Sequence, residues 1–182
     1  MIRIKQVRKY LFLFGISGLI IALDQVTKYW VKQHLVTGET WAPWPWLAPI
    51  ARIVNWHNTG AAFGMFQDGG PIFAILAVIV SFAIIYYFQK LKDSEILLKI
   101  AMAMQLAGAV GNLIDRLYQG YVTDFISLGN FAVFNVADSS ITIGVGVLLL
   151  GVWLEERKIK KNLENKKETT VEIVEKETLN QG

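Results

Sequence analysis

Residues 71–89 read PIFAILAVIVSFAIIYYFQ, a run without one charged side chain. About 20 helical residues cross the roughly 30 Å hydrocarbon core of a bilayer. Inside lipid a helix satisfies its own backbone polar groups, so this run predicts a membrane-spanning helix. Three further segments qualify as spans: residues 10–30, residues 95–118 and residues 131–154. The first ends in Tyr29-Trp30 and the second in Tyr86-Tyr87-Phe88, aromatics suited to the membrane–water interface. In the third, Lys99 near one end can snorkel. No internal repeat emerges, and the expectation is one membrane domain over residues 1–154.

The composition agrees. Of the 182 residues 53% are hydrophobic, with mean hydropathy +0.39, above the roughly 45–50% of an ordinary soluble domain. The net charge of +3 matters less than its distribution. Arg3, Lys5, Arg8 and Lys9 form a basic arm, but without basic–aromatic interleaving it does not point to nucleic acid. No cysteine is present, which excludes disulfides, a thiolate nucleophile and a cysteine-based zinc site. His34 and His57 lack the HExxH spacing of a zinc peptidase. The first apolar run lacks a small-x-small cleavage site and continues through Asp24-Gln-Val-Thr-Lys28, which predicts a retained helix rather than a removed signal peptide.

Lysines and arginines set the orientation. The basic arm, Lys90-Leu91-Lys92 and Arg157–Lys161 fall on one side of four spans, which places both termini in the cytoplasm. Connections 31–70 and 119–130 then face outward, and residues 155–182 form a charged cytoplasmic tail, a solvated helix or disordered. A 40-residue loop is long for a connection without a role. It holds Trp41, Trp44, Trp46 and Trp56, and residues 51–57 read as a strand. In the other loop, residues 121–128 and 131–134 flank a Gly129-Asn130 turn. The expected architecture is an all-α membrane protein of four transmembrane helices with a small extracytoplasmic β-rich cradle.

An ionisable group within a span costs about 2.5–3.5 kcal/mol on insertion scales and marks a functional site by default. Asp24 and Lys28 are four apart on one helical face and read as a self-neutralising pair. Asn112, Asp115 and Arg116 share one side of the third span, where Asp115 is the expected partner of Arg116. Asn135 and Asp138 share a face of the fourth, with Asp138 about two turns inside it. Asp124 follows an alternating stretch and reaches Asp138 if its loop folds back. Two carboxylates in one site separate in pKa, one staying protonated while the other is ionised. That suffices for amide hydrolysis without a metal, serine or cysteine. The structural alternative is that the acids only fix helix packing, and spacing leaves the choice open. Asn58-Thr-Gly-Ala-Ala-Phe-Gly64 reads as a small-residue turn before the second span, with an asparagine free to hydrogen bond.

Five stretches occur in order: LDQVTKYW (23–30), NTGAAFG (58–64), GNLIDR (111–116), GYVTDF (120–125) and FNVADSSI (134–141). Together they resemble the lipoprotein signal peptidase family, signal peptidase II. The resemblance implies an intramembrane aspartic endopeptidase of the bacterial cytoplasmic membrane, with its site near the extracytoplasmic face. Its substrates would be prolipoproteins carrying a diacylglyceryl group on a cysteine, cut just before that cysteine. It implies Asp124 and Asp138 as the catalytic pair. Asn58, Asn112, Arg116 and Asn135 would line the pocket, Asp115 would support it, and Asp24 and Lys28 would form a required structural pair. A monomer in the lipid bilayer, with no cofactor and no nucleic acid, is expected. The family's usual VVDF reads VTDF here, and no role is expected of that threonine. A proton- or ion-coupled transporter would need acids across the whole membrane depth, whereas the inner halves of the four spans have none apart from Glu95 at the very end of the third.

Overall fold

The computed structural model describes residues 2–60 and 69–179, with side chains over 6–60 and 69–165. The chain runs α1 (Ile2–His34), β1 (Thr40–Trp41), β2 (Ala51–Asn58), α2 (Gly70–Phe88), α3 (Ile96–Gln119), β3 (Val122–Leu128) and α4 (Val136–Leu179). Four stretches are long and apolar enough to cross a membrane: Gln6–His34, Gly70–Phe88, Ile96–Gln119 and Val136–Asn165. The four-span bundle with a small antiparallel sheet is therefore the fold. Residues 61–64 of the NTGAAFG stretch lie outside the described residues.

The bundle is organised around α3, which packs against α1, α2 and α4. Half of its most apolar window is buried in protein, against 11% for α2, which presents most of its surface to lipid. Pro71 sits in the first turn of α2, where its missing N–H costs nothing. Between helices in lipid, association relies on close packing of small residues. A Cβ at Gly108 would lie 2.5 Å from the Ala137 carbonyl oxygen and against the Ile141 side chain. One at Gly111 would lie 2.9 Å from Asp24 Oδ2 and 3.2 Å from the Ala137 Cβ. These two glycines let α1, α3 and α4 converge.

At one end Leu13, Ile84, Phe88, Ala103 and Leu106 form the apolar core. Beyond it Lys9 donates to the Leu91 carbonyl and lies 3.8 Å from Asp93, which also meets Lys99 at 3.4 Å. The start of α1 and the α2–α3 connection are thus tied at one end, and the sheet covers the other. Its strand order is β1-β2-β3, all antiparallel, with a register shift between Ile53 and Trp56. Asn55, inside the shift, turns back to the end of α1, its Nδ2 donating to the Leu35 carbonyl at 2.8 Å. Gly120, at φ 82°, ends α3 in the left-handed conformation and turns the chain into β3. Phe134 then exchanges backbone hydrogen bonds with Ile126 (2.8 and 3.0 Å) before α4 begins.

The start of α4 differs from the one read in the sequence. Helix α4 starts at Val136 rather than 131, so Asp138 lies in its first turn and not two turns deep. The apolar residues before it, Phe131 to Phe134, line a cavity instead of continuing the helix. Beyond 154 the helix continues through the charged stretch to Leu179. Strand β1 has two residues, too few to leave an alternating pattern.

The packing yields a test. Gly108→Val should cost about 1–3 kcal/mol by overpacking the α3–α4 contact, whereas Gly146→Ala, with nothing within 4 Å of the new Cβ, should be nearly neutral. Detergent unfolding monitored by circular dichroism measures both.

Candidate active site

Where α1, α3 and α4 converge, Lys28 is buried with 1% of its side chain exposed. Its ammonium meets Asp24 Oδ2 at 2.8 Å, Asp115 Oδ2 at 3.1 Å and Asn112 Oδ1 at 3.0 Å. Three donors thus meet three acceptors. The carboxylates are satisfied further. Asp24 Oδ1 accepts the backbone N–H of Ala137 at 2.9 Å, in the first turn of α4. Asp115 Oδ2 accepts the Thr123 N–H at 3.0 Å. Gln25 Nε2 reaches Asp24, Asp115 and the Gly111 carbonyl at 3.1–3.2 Å. The Asp24–Lys28 pair is therefore present but is one part of a larger cluster that joins α1, α3, α4 and β3.

Three asparagines carry this order toward Asp124 and Asp138. Lysine only donates hydrogen bonds, so Asn112 turns its carbonyl oxygen to Lys28. Its Nδ2 then donates to Asp138 Oδ1 at 2.7 Å. Asn135 caps α4: its Oδ1 accepts the Asp138 N–H at 2.9 Å, while Asp138 Oδ2 accepts the Asn135 N–H at 3.2 Å. This is a reciprocal capping box. With its oxygen engaged, Asn135 points Nδ2 at Asp124 Oδ1, 2.7 Å away, and at Asn112 Oδ1, 3.0 Å away. Asn58 Oδ1 accepts the Gly60 N–H at 3.0 Å, so its Nδ2 donates to Asp124 Oδ2 at 2.8 Å. Each amide is oriented by a group that can only donate, and all four oxygens of Asp124 and Asp138 receive an N–H.

Asp124 and Asp138 border one cavity of about 490 Å³, shared with Asn58, Arg116 and the apolar wall from Phe131 to Phe134. A second cavity of about 350 Å³, between α2 and the α3–α4 pair, meets the first at Arg116, Asp138 and Ile141. Burial, and then the charge of Asp138, push the Asp124 carboxyl from 3.8 up to about 7, against hydrogen bonds from Asn58 and Asn135. Arg116 is not the partner of Asp115. Its guanidinium lies 5.3 Å from the Phe73 ring centroid, and its Nε is buried without a hydrogen-bond partner among the described residues. Adjacent residues on a helix do not face one another, and Lys28 occupies Asp115 instead. Among the described residues no group of three or more His, Cys, Asp or Glu is placed to hold a metal ion.

The structure thus brings together Asn58, Asn112, Arg116, Asp124, Asn135 and Asp138, with Asp24, Lys28 and Asp115 behind them. Sequence reasoning missed Gln25, although it sits inside the LDQVTKYW stretch. It also missed Thr123, which is fully buried and accepts a hydrogen bond from Gln119 Nε2 at 2.9 Å. Lys32 holds Gln119 by its Oε1 at 3.1 Å, so the threonine hydroxyl is provided for.

A paired-carboxylate site at one end of a four-helix bundle, opening onto apolar cavities, belongs to a membrane-embedded enzyme. Comparison with known proteins names the kind. Residues 16–154 match the family described as Signal peptidase (SPase) II. The lipoprotein signal peptidase of Halalkalibacterium halodurans is 40% identical over 80% of this chain and 94% of its own length. That of Streptococcus pyogenes serotype M1 is 38% identical over 82% and 97%. A bacterial membrane enzyme structure determined by the in meso method at 2.3 Å resolution superposes with a TM-score of 0.71. It is 32% identical, over 79% of this chain and 88% of that one. The chain belongs to the signal peptidase II family.

Two outcomes follow from the electrostatics. Lys28→Met strands two buried carboxylates and should cost about 3–5 kcal/mol, read by unfolding in detergent. For Asp124, the folded chain keeps a proton that the unfolded chain has lost, so its contribution lowers stability as pH rises from about 4 to about 7. The parent should therefore lose stability relative to Asp124→Asn as pH rises from about 4 to about 7, on top of a pH-independent cost for the amide donor that the asparagine turns toward Asn58 or Asn135, as thermal unfolding across pH will report.

Proposed function

We propose that this peptidase is of the aspartic type, with Asp124 and Asp138 as its catalytic pair, and that it removes the signal peptide from diacylglyceryl-modified prolipoproteins just before the lipidated cysteine. The observation that carries the reading is the shared anchorage of the two carboxylates. Asn135 donates to Asp124 and forms a capping box with Asp138, and both acids border one cavity. One aspartate activates water against the scissile carbonyl and the other, protonated, supplies a proton. The substrate is apolar on both sides of the cut, a signal helix before the cysteine and acyl chains on it. Two apolar cavities meeting at Asp138 and Arg116 suit such a forked ligand, approached laterally from the bilayer.

Arg116, free of ion pairs among the described residues, is available to bind a peptide carbonyl. Asn58, Asn112 and Asn135 hold the acids, while Asp24, Lys28 and Asp115 support them from behind. The end tied by Lys9, Lys99 and the α2–α3 connection faces the cytoplasm, following the positive-inside rule. The sheet and the site then face outward in the bacterial cytoplasmic membrane, where water reaches the carboxylates. The enzyme works as a monomer without a cofactor.

The test uses protein reconstituted in bilayers with a lipobox peptide, lipidated or not, and mass spectrometry of the products. Asp124→Asn and Asp138→Asn should each lower turnover by about 10³-fold or more while inserting normally. Asp115→Asn should lose stability and keep measurable turnover. Normal cleavage by either of the first two variants would sink the pair.

A further inference from the structure

The hydrogen-bond polarity around the two acids is not symmetric, and this distinguishes their roles. Both acids receive side-chain amide donors. Among the described residues only Asp138 also accepts a backbone N–H at a helix N-terminus, that of Asn135 at 3.2 Å, where the helix dipole favours a negative charge. Only its amide donor, Asn112, is oriented by a cation, through the 3.0 Å contact with Lys28. Asp124 is held by Asn58 and Asn135 on a strand, with no helix terminus of its own.

Resting on the proposed aspartic mechanism, we propose that Lys28, acting through Asn112, is a positioning residue that keeps Asp138 as the ionised, water-activating member of the pair, and that Asp124 carries the donated proton. Direct charge does not explain the asymmetry. The groups facing Asp138 are Lys28 and Asp24 from α1, Arg116 from α3, and Asp124 from β3, with Asp115 behind Lys28. Within them the Lys28 cluster has two carboxylates for one ammonium, so what it transmits is donor direction. A flipped Asn112 would aim its oxygen at Asp138 Oδ1 and its NH₂ at the ammonium, two repulsive contacts at once. The rise of the Asp124 carboxyl to about 7, to which the charge of Asp138 contributes after burial, agrees with a proton resting on Asp124.

The step balances. Asp138 takes a proton from water as the oxygen bonds to the carbonyl carbon, and Asp124 gives its proton to the carbonyl oxygen. In the resulting gem-diol, Asp138 returns its proton to the amine nitrogen as the C–N bond breaks. Asp124 recovers one from a hydroxyl as the new carboxyl forms. The pair ends as it began.

Two near-isosteric substitutions test the assignment. Asn112→Asp keeps an oxygen toward Lys28 but turns the donor facing Asp138 into an acceptor. Asn58→Asp does the same for Asp124 while keeping the Gly60 contact. Single-turnover cleavage of a lipidated peptide, slow enough for weak variants, gives rate against pH for each. Asn112→Asp should raise the acidic limb of the bell by about one pH unit or more. Asn58→Asp should raise the alkaline limb instead. Exchanged limbs, unshifted limbs, or no turnover by Asn112→Asp at any pH overturn the assignment. Cleavage by Asp124→Asn or Asp138→Asn would instead bring down the underlying reading.

Discussion

The interaction on which the rest depends is the buried ammonium of Lys28 shared between Asp24 and Asp115, at 2.8 and 3.1 Å. Burying ions costs several kcal/mol each, and only good geometry with satisfied hydrogen bonds offsets it. Here each partner is met in full, and the contacts that satisfy it reach every element of the site. Asp24 caps the start of α4 through the Ala137 N–H, and Asp115 holds β3 through the Thr123 N–H. Asn112 carries the order to Asp138. The cluster positions a helix N-terminus and a strand against α3, and those two elements carry Asp138 and Asp124.

Apolar packing and polar order divide the molecule between them. Close approach at Gly108 and Gly111 brings α3 and α4 together, which places the first turn of α4 beside Asn112. The strand returning through Phe134 and Ile126 forms the apolar wall opposite. The two acids therefore lie where a cage of oriented amides meets lipid-like cavities. A carboxylate pair there is buried enough for the Asp124 carboxyl to rise to about 7, and an apolar ligand has a path to it.

Much of this was legible in the sequence, and the rest was hidden for identifiable reasons. The spans were plain because an uncharged run such as residues 71–89 has few alternatives. Asp124 and Asp138 stood out as acids beside apolar segments; a pairing with Arg116 set Asp115 aside, and the family resemblance chose the other two. The partner of Asp115 was misjudged because Arg116 is adjacent in sequence, while adjacent helical residues face apart. Lys28, 87 positions away, leaves no local signal. The start of α4 was misplaced because Phe131 to Phe134 are apolar for the sake of a cavity wall, which hydropathy cannot tell from a helix. Thr123 passed as incidental because its partner Gln119 lies on another element, across a tight turn.

In the proposed chemistry two coupled aspartates hydrolyse a lipidated peptide at the membrane surface. The most direct measurement is kcat/KM of the unaltered protein in bilayers on a diacylglyceryl lipobox peptide, followed across pH. Hydrolysis by this pair predicts a bell whose alkaline limb falls near 7, where Asp124 loses its proton. A rate that keeps climbing through neutrality toward alkaline pH would contradict it.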